Sequence, residues 1–261
     1  MTPTPTRIAG TFRRQSRWAC ACLCATALAG PGQDRPPATG DRAPLLDVPG
    51  DLPPGPDDVI RDAVAAGLEF LARDLTTQAS GRVSLGAQDY EAPVGLTALA
   101  SLAFMAGGNS PNRGPHQRSL VRTLDYLLEH QVPEGEREAG FISATEDLHS
   151  RMHGHGLAVL ALTQAYTLSP RSARGRRIAE AVRAGVRRIE EAQGPDGGWY
   201  YDPLPVDLTE GSVTVCVLQA LRGARNCGFE VNSDVIARAI VYVKSLQDLS
   251  LIHISEPTRR A

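Results

Sequence analysis

Two kinds of helical segment alternate along this chain, and the alternation limits its fold more than any other feature. Segments of the first kind, at 59–75, 117–131, 174–193 and 233–247, carry charge on one face and apolar residues at helical spacing on the other. Ile178, Val182, Val186 and Ile189 are an example. Segments of the second kind, at 94–107, 154–168 and 212–224, are small, apolar and nearly uncharged. A helix that is apolar all round persists only when protein surrounds it. The registers overlay: Phe70-Leu71, Tyr126-Leu127, Arg188-Ile189 and Tyr242-Val243 share one position, in steps of 56, 62 and 54 residues. Gln131, Gln193 and Gln247 each follow that position by four, where the first unit has Leu75. Gly95-Leu96-Thr97-Ala98-Leu99 overlays Gly156-Leu157-Ala158-Val159-Leu160 in the second kind.

A period this long, with two helices per unit, predicts an all-α array of helical hairpins. Charged helices are expected outside and apolar ones inside, with Gly and Ala allowing close contact in the inner layer. A closed α/α toroid, here incomplete at about three and a half repeats, and a plain α-solenoid with one exposed face both satisfy the pattern.

The ends read differently. Residues 1–29 have the form of a signal peptide. Arg7, Arg13, Arg14 and Arg17 precede a 12-residue apolar run from Trp18, and Ala27-Leu28-Ala29 supplies a small-x-small cleavage pattern. Export to the periplasm or beyond is the expectation. Residues 30–56 hold eight prolines in 27 positions, which predicts an extended linker. The repeat domain is expected over 57–248. Residues 249–261 begin LSLIHISEPTR, which matches the in-frame translation of a sequencing-library adaptor, so the natural protein is expected to continue past Asp248. With residues 1–29 and 249–261 set aside, the formal charge falls from −2 to −7. That balance argues against nucleic acid and anionic membrane surfaces as partners. No apolar run reaches the length of a spanning helix, so no transmembrane helix is expected after signal cleavage. Cys216 and Cys227, eleven positions apart, would sit about 16 Å apart on one helix, too far for a disulfide.

The stretch Gln193-Gly194-Pro195-Asp196-Gly197-Gly198-Trp199 is similar to the Q-x-x-x-G-x-W motif of the prenyltransferase and squalene oxidase repeat family, which includes the squalene–hopene cyclases. His130-Gln131 followed by Gly140-Phe141 is a weaker echo. Arg113-Gly114-Pro115 and Met152-His153-Gly154-His155-Gly156 resemble a secreted bacterial branch of these repeats, and the resemblance spans 57–248. It implies the α/α toroid. In the motif itself, Gln near a helix end can bond exposed carbonyls, Asp-Gly-Gly supplies a tight turn, and Trp199 packs against the neighbouring unit.

The resemblance does not carry a reaction with it. The D-x-D-D acid of the cyclases is matched only by Gly55-Pro56-Asp57-Asp58, which lacks the first Asp. Carbocation chemistry wants aromatic faces, and the inner segments offer Phe104 and Tyr166. Thr214 stands where the zinc-binding D-x-C pair of the prenyltransferases would place Asp before Cys216. The thioester motif of related toroids is missing.

Polar residues gather in two places. In 146–155, His149, His153 and His155 have spacings that could ligate zinc. Gly154 and Gly156 instead favour a loop entering an inner helix, with His155 as a cap or a mouth-lining residue, and no metal site is assigned. In 199–210, Trp199, Tyr200, Tyr201, Asp207 and Glu210 form a second group, with Asp207 or Thr209 expected to cap the helix near Ser212. A glycosidase-like acid pair is conceivable there, but no spacing singles out two acids. The candidate residues of a cavity mouth are therefore His153, His155, Trp199, Tyr200, Tyr201, Asp207 and Glu210, with no catalytic residue and no cofactor assigned. The leading expectation is an exported binding module holding a small molecule, a lipid or a protein segment in the ring. The alternatives are a terpene cyclase or transferase whose acid lies further along the gene, and a scaffold binding another exported protein through its charged helices.

Overall fold

Seven α-helices account for the regular structure of the described residues, and there is no strand among them. The computed structural model describes residues 56–77, 81–83, 91–147 and 151–247. The expected signal peptide, nearly all of the linker and the adaptor-like segment lie outside these residues. In chain order the helices are α1 (Pro56–Thr77), α2 (Pro93–Ala106), α3 (Gln117–Glu129), α4 (Arg151–Leu168), α5 (Ala173–Glu191), α6 (Gly211–Asn226) and α7 (Ser233–Ser245). Each matches one of the segments picked out by periodicity. The largest differences are the starts of α1, at Pro56 rather than Val59, and of α4, at Arg151 rather than Gly154.

Local chemistry explains where these helices begin. Pro93 occupies the first turn of α2, where no amide donor is needed. Ser172 caps α5 by accepting the Gly175 amide at 2.9 Å. Asn232 caps α7 by accepting the Asp234 amide at 2.9 Å.

The apolar helices α2, α4 and α6 lie side by side, with α3 packed chiefly on α2 and α5 on α4. Small residues permit the inner contacts. A Cβ on Gly95 would sit 3.5 Å from Cα of Gly154, and one on Gly156 only 3.2 Å from Sγ of Cys216. The core between the layers includes Phe104, Leu120, Leu124, Leu127, Met152, Leu162 and Ile189, all fully buried. Each such side chain contributes about 1.5–3 kcal/mol relative to exposure.

One set of contacts is made three times. After α1, α3 and α5 the chain turns through Gly81, Gly140 and Gly197, at φ of 77°, 84° and 97°. Each turn presses on the next outer helix: a Cβ there would lie 2.4 Å from the Arg122 carbonyl oxygen, or 2.5 Å from those of Ala184 and Arg238. Two residues on, the amides of Val83, Ile142 and Trp199 donate to Thr97 Oγ1, His155 Nδ1 and Thr214 Oγ1, at 3.0, 3.0 and 3.1 Å. Gln131 Nε2 donates to the carbonyls of Gly140 and Ala181, both at 2.9 Å. Gln193 Nε2 donates to those of Gly197 and Val235, both at 2.8 Å. Each glutamine thus joins its own turn to the following outer helix.

Candidate functional site

His155 and Trp199 are interior residues, not parts of a mouth. Both are fully buried. The imidazole of His155 lies between the Ile142 amide, which it accepts at Nδ1, and the Gly185 carbonyl, to which Nε2 is 3.1 Å. That pairing assigns the proton to Nε2. Burial pushes its pKa down to about 4, so the ring is neutral. Trp199 donates from Nε1 to the carbonyl of Ile189, in the helix that precedes it, at 2.8 Å.

The loop expected around His153 to Gly156 is instead the first turns of α4. The glycines there reflect the closeness of α2 and α6, not chain flexibility. His153 consequently reaches across to α6, with Nε2 3.0 Å from Ser212 Oγ. Ser212 Oγ donates to Glu210 Oε2. Glu210, rather than Asp207 or Thr209, caps α6 by accepting the Val213 amide at 2.9 Å. The Ser212 and Val213 hydrogen bonds hold its carboxyl below the usual range, while burial lowers the pKa of His153. Thr209 donates instead to Asp196 Oδ2 at 2.6 Å, and Asp207 is exposed.

Tyr201 joins this group. Its ring centroid is 6.4 Å from that of His153 and 4.6 Å from that of Tyr200, and its carbonyl accepts the Met152 amide at 2.8 Å. Arg151, at the start of α4, pairs with Glu138 at 2.7 Å and Asp202 at 3.4 Å and lies over the Phe141 ring. The structure therefore brings together His153, Tyr200, Tyr201 and Glu210, adds Ser212 and Arg151, and sends His155 and Trp199 to the core. His149 lies outside the described residues.

Asp147 was not singled out by sequence. It is buried, and its carboxylate accepts the Ala144 amide at 2.8 Å and the Val94 amide, in the first turn of α2, at 3.4 Å. Burial raises its pKa. Its proximity to the helix it caps is tertiary, fifty-three residues away in the chain, so no local signal marks it.

Below the polar group runs a partly exposed, mainly apolar face. On α4, His155 and Val159 meet α5, and His153, Leu157, Leu160 and Gln164 lie about half a turn away from that side. On α6 the matching stripe is Ser212, Val215 and Gln219, and on α2 it is Leu96 and Leu99. Leu99 and Val215 are 49% and 48% exposed. Elsewhere, a groove of about 810 Å³ between α5 and the α6–α7 connection is lined by Tyr166, Arg183 and Phe229. It lies apart from the His153 group.

No cluster of three or more metal-ligating side chains occurs among the described residues. Burial raises the thiol of Cys216 to about 11, so it is protonated and unreactive at neutral pH. No helix among the described residues is long and apolar enough to cross a membrane. No protein-family model matches the chain, and no curated protein matches it.

Proposed function

We propose that this chain is an exported binding protein of the prenyltransferase and squalene oxidase repeat type. Its helical hairpins form part of an α/α toroid whose inner face takes an amphipathic small molecule. The observation that carries the binding reading is an apolar stripe on α2, α4 and α6, exposed at Leu99 and Val215 and half-buried at Leu96, Leu157 and Leu160, that ends at a hydrogen-bonding group. An apolar ligand body would lie on Leu96, Leu99, Leu157 and Val215. Its polar head would meet His153, Ser212, Glu210 and Tyr201. Such a division, apolar wall with a few convergent polar groups, is how small-molecule sites combine affinity with orientation. The threefold turn contacts and the inner and outer helix layers support the hairpin-repeat reading.

The test is a titration with the neutral apolar dye N-phenyl-1-naphthylamine. Saturable enhancement is expected for the intact protein. It should weaken at least tenfold in a Leu99→Asp, Val215→Asp variant, whose melting point should hold because both positions are half exposed. Equal dye binding by the variant would refute the inner face as the site. Turnover of a polyprenoid by the protein, dependent on one acidic residue, would replace the binding reading with the enzymatic one.

A further inference from the structure

Net charge conceals a strong separation of charge. The 107–116 loop, the α4–α5 connection, the first turns of α3 and α5 and the last turn of α6 all lie at one end of the inner helices. Asn112 Nδ2 donates to Ser169 Oγ at 2.7 Å, tying the first two together. The Tyr166 and Phe229 rings, 5.0 Å apart, place the end of α6 beside the end of α4. This end exposes Arg113, Arg118, Arg171, Arg176, Arg177 and Arg225. The acids facing them are Glu180, one turn from Arg176 and Arg177 on α5, with Glu230 and Asp234, while Asp125 is paired to Arg174. The opposite end, built from the 131–147 and 192–210 loops, exposes Glu136, Asp196 and Asp207 beside Arg137, together with Glu134, Glu146 and Asp202, which pair with Arg187, Arg82 and Arg151. The 18 residues of α4 separate the two by about 27 Å. That exceeds the roughly 8 Å screening length of physiological salt, so neither end cancels the other's field.

We propose that the arginine end docks on an anionic phospholipid bilayer. Guanidinium groups bind phosphate through paired N–H donors. Leu168, 42% exposed at the end of α4, and exposed Pro170 lie among them. Apolar residues inside a cationic patch suit the headgroup boundary, where both charge and burial contribute. A nucleic-acid backbone would reward only the charge. The inference is independent of what the inner face binds.

Flotation with vesicles tests it on the full chain. The protein should float with vesicles of 30% phosphatidylglycerol in phosphatidylcholine and not with phosphatidylcholine alone. Binding should fall at least tenfold on raising NaCl from 50 to 500 mM. An Arg171→Glu, Arg176→Glu, Arg177→Glu variant should lose at least tenfold, since each guanidinium at a bilayer surface multiplies binding roughly fivefold. Arg137→Glu, at the acidic end, should bind as the parent does. Circular dichroism establishes that both variants fold; should the triple variant fail to fold, the three single reversals are assayed, each expected to lose severalfold. Flotation with neutral vesicles, parental binding by the triple variant, or binding to duplex DNA without binding to vesicles would each overturn the proposal.

Discussion

A second proton on His155 has no favourable place in the folded protein. Nδ1 already faces the Ile142 N–H, so protonation would set two donors against each other in a sealed site. The folded pKa lies near 4, below the ordinary 6.5. A depressed pKa gives stability that is complete above 6.5 and is lost as pH falls towards 4, at most roughly 3 kcal/mol by linkage. Urea midpoints between pH 7 and pH 4 should therefore fall more steeply for the parent than for His155→Gln, which cannot titrate; parallel slopes would contradict the assignment. Trp199→Ala should cost about 3–5 kcal/mol, because the indole is fully buried and bonded to Ile189. An unchanged melting point would be incompatible with that packing. Of these two residues, only Trp199 carried a sign of burial in sequence, through its spacing from Gln193 and Gly197, although it also stood among the candidates for the mouth. His155 did not, because glycines on both sides are as natural to a loop as to a helix pressed between two neighbours. Their meaning depends on Gly95 and Cys216, which belong to other helices.

Among the secondary elements, the turns after the outer helices are the most constrained. Gly140 and Gly197 combine a positive φ with a carbonyl 2.5 Å from the place a Cβ would take. Gly140→Ala and Gly197→Ala should each cost more than about 2 kcal/mol. Gly135 also has positive φ, at 92°, but nothing lies within 4 Å of its Cβ position. Gly135→Ala should therefore cost only the backbone strain, about 1 kcal/mol. Equal losses at all three sites, measured by thermal melts, would show that the turn contacts carry no energy. The helices themselves were readable because a 3.6-residue stripe and an all-apolar run leave distinct local patterns. What joins them was not: Asp147 caps α2 from fifty-three residues away, through packing, and although Glu210 caps α6 locally from the position just before it, its neighbours Asp207 and Thr209 looked equally suited in the bare sequence.

For the whole molecule, the decisive property is the difference between its surfaces. Apart from Leu168 at the arginine end and Tyr201, Leu204 and Leu208 in the 192–210 loop, exposed large apolar residues fall on three of them. Leu99 and Val215 lie on the inner helices, Ile60, Val64 and Phe70 on α1, and Ile240, Val241 and Val243 on α7. Composition could not rank these faces, since it counts apolar residues without placing them, just as a net charge of −2 for the whole chain gave no sign of its two oppositely charged ends. The inner face differs from the other two in carrying His153, Ser212 and Glu210 at its edge. The most direct test is photo-crosslinking with a diazirine-bearing fatty alcohol, mapped by mass spectrometry. Adducts on peptides holding Leu96–Leu99, Leu157–Leu160 and Val215–Gln219 are the predicted result. Adducts confined to α1 and α7 would contradict it.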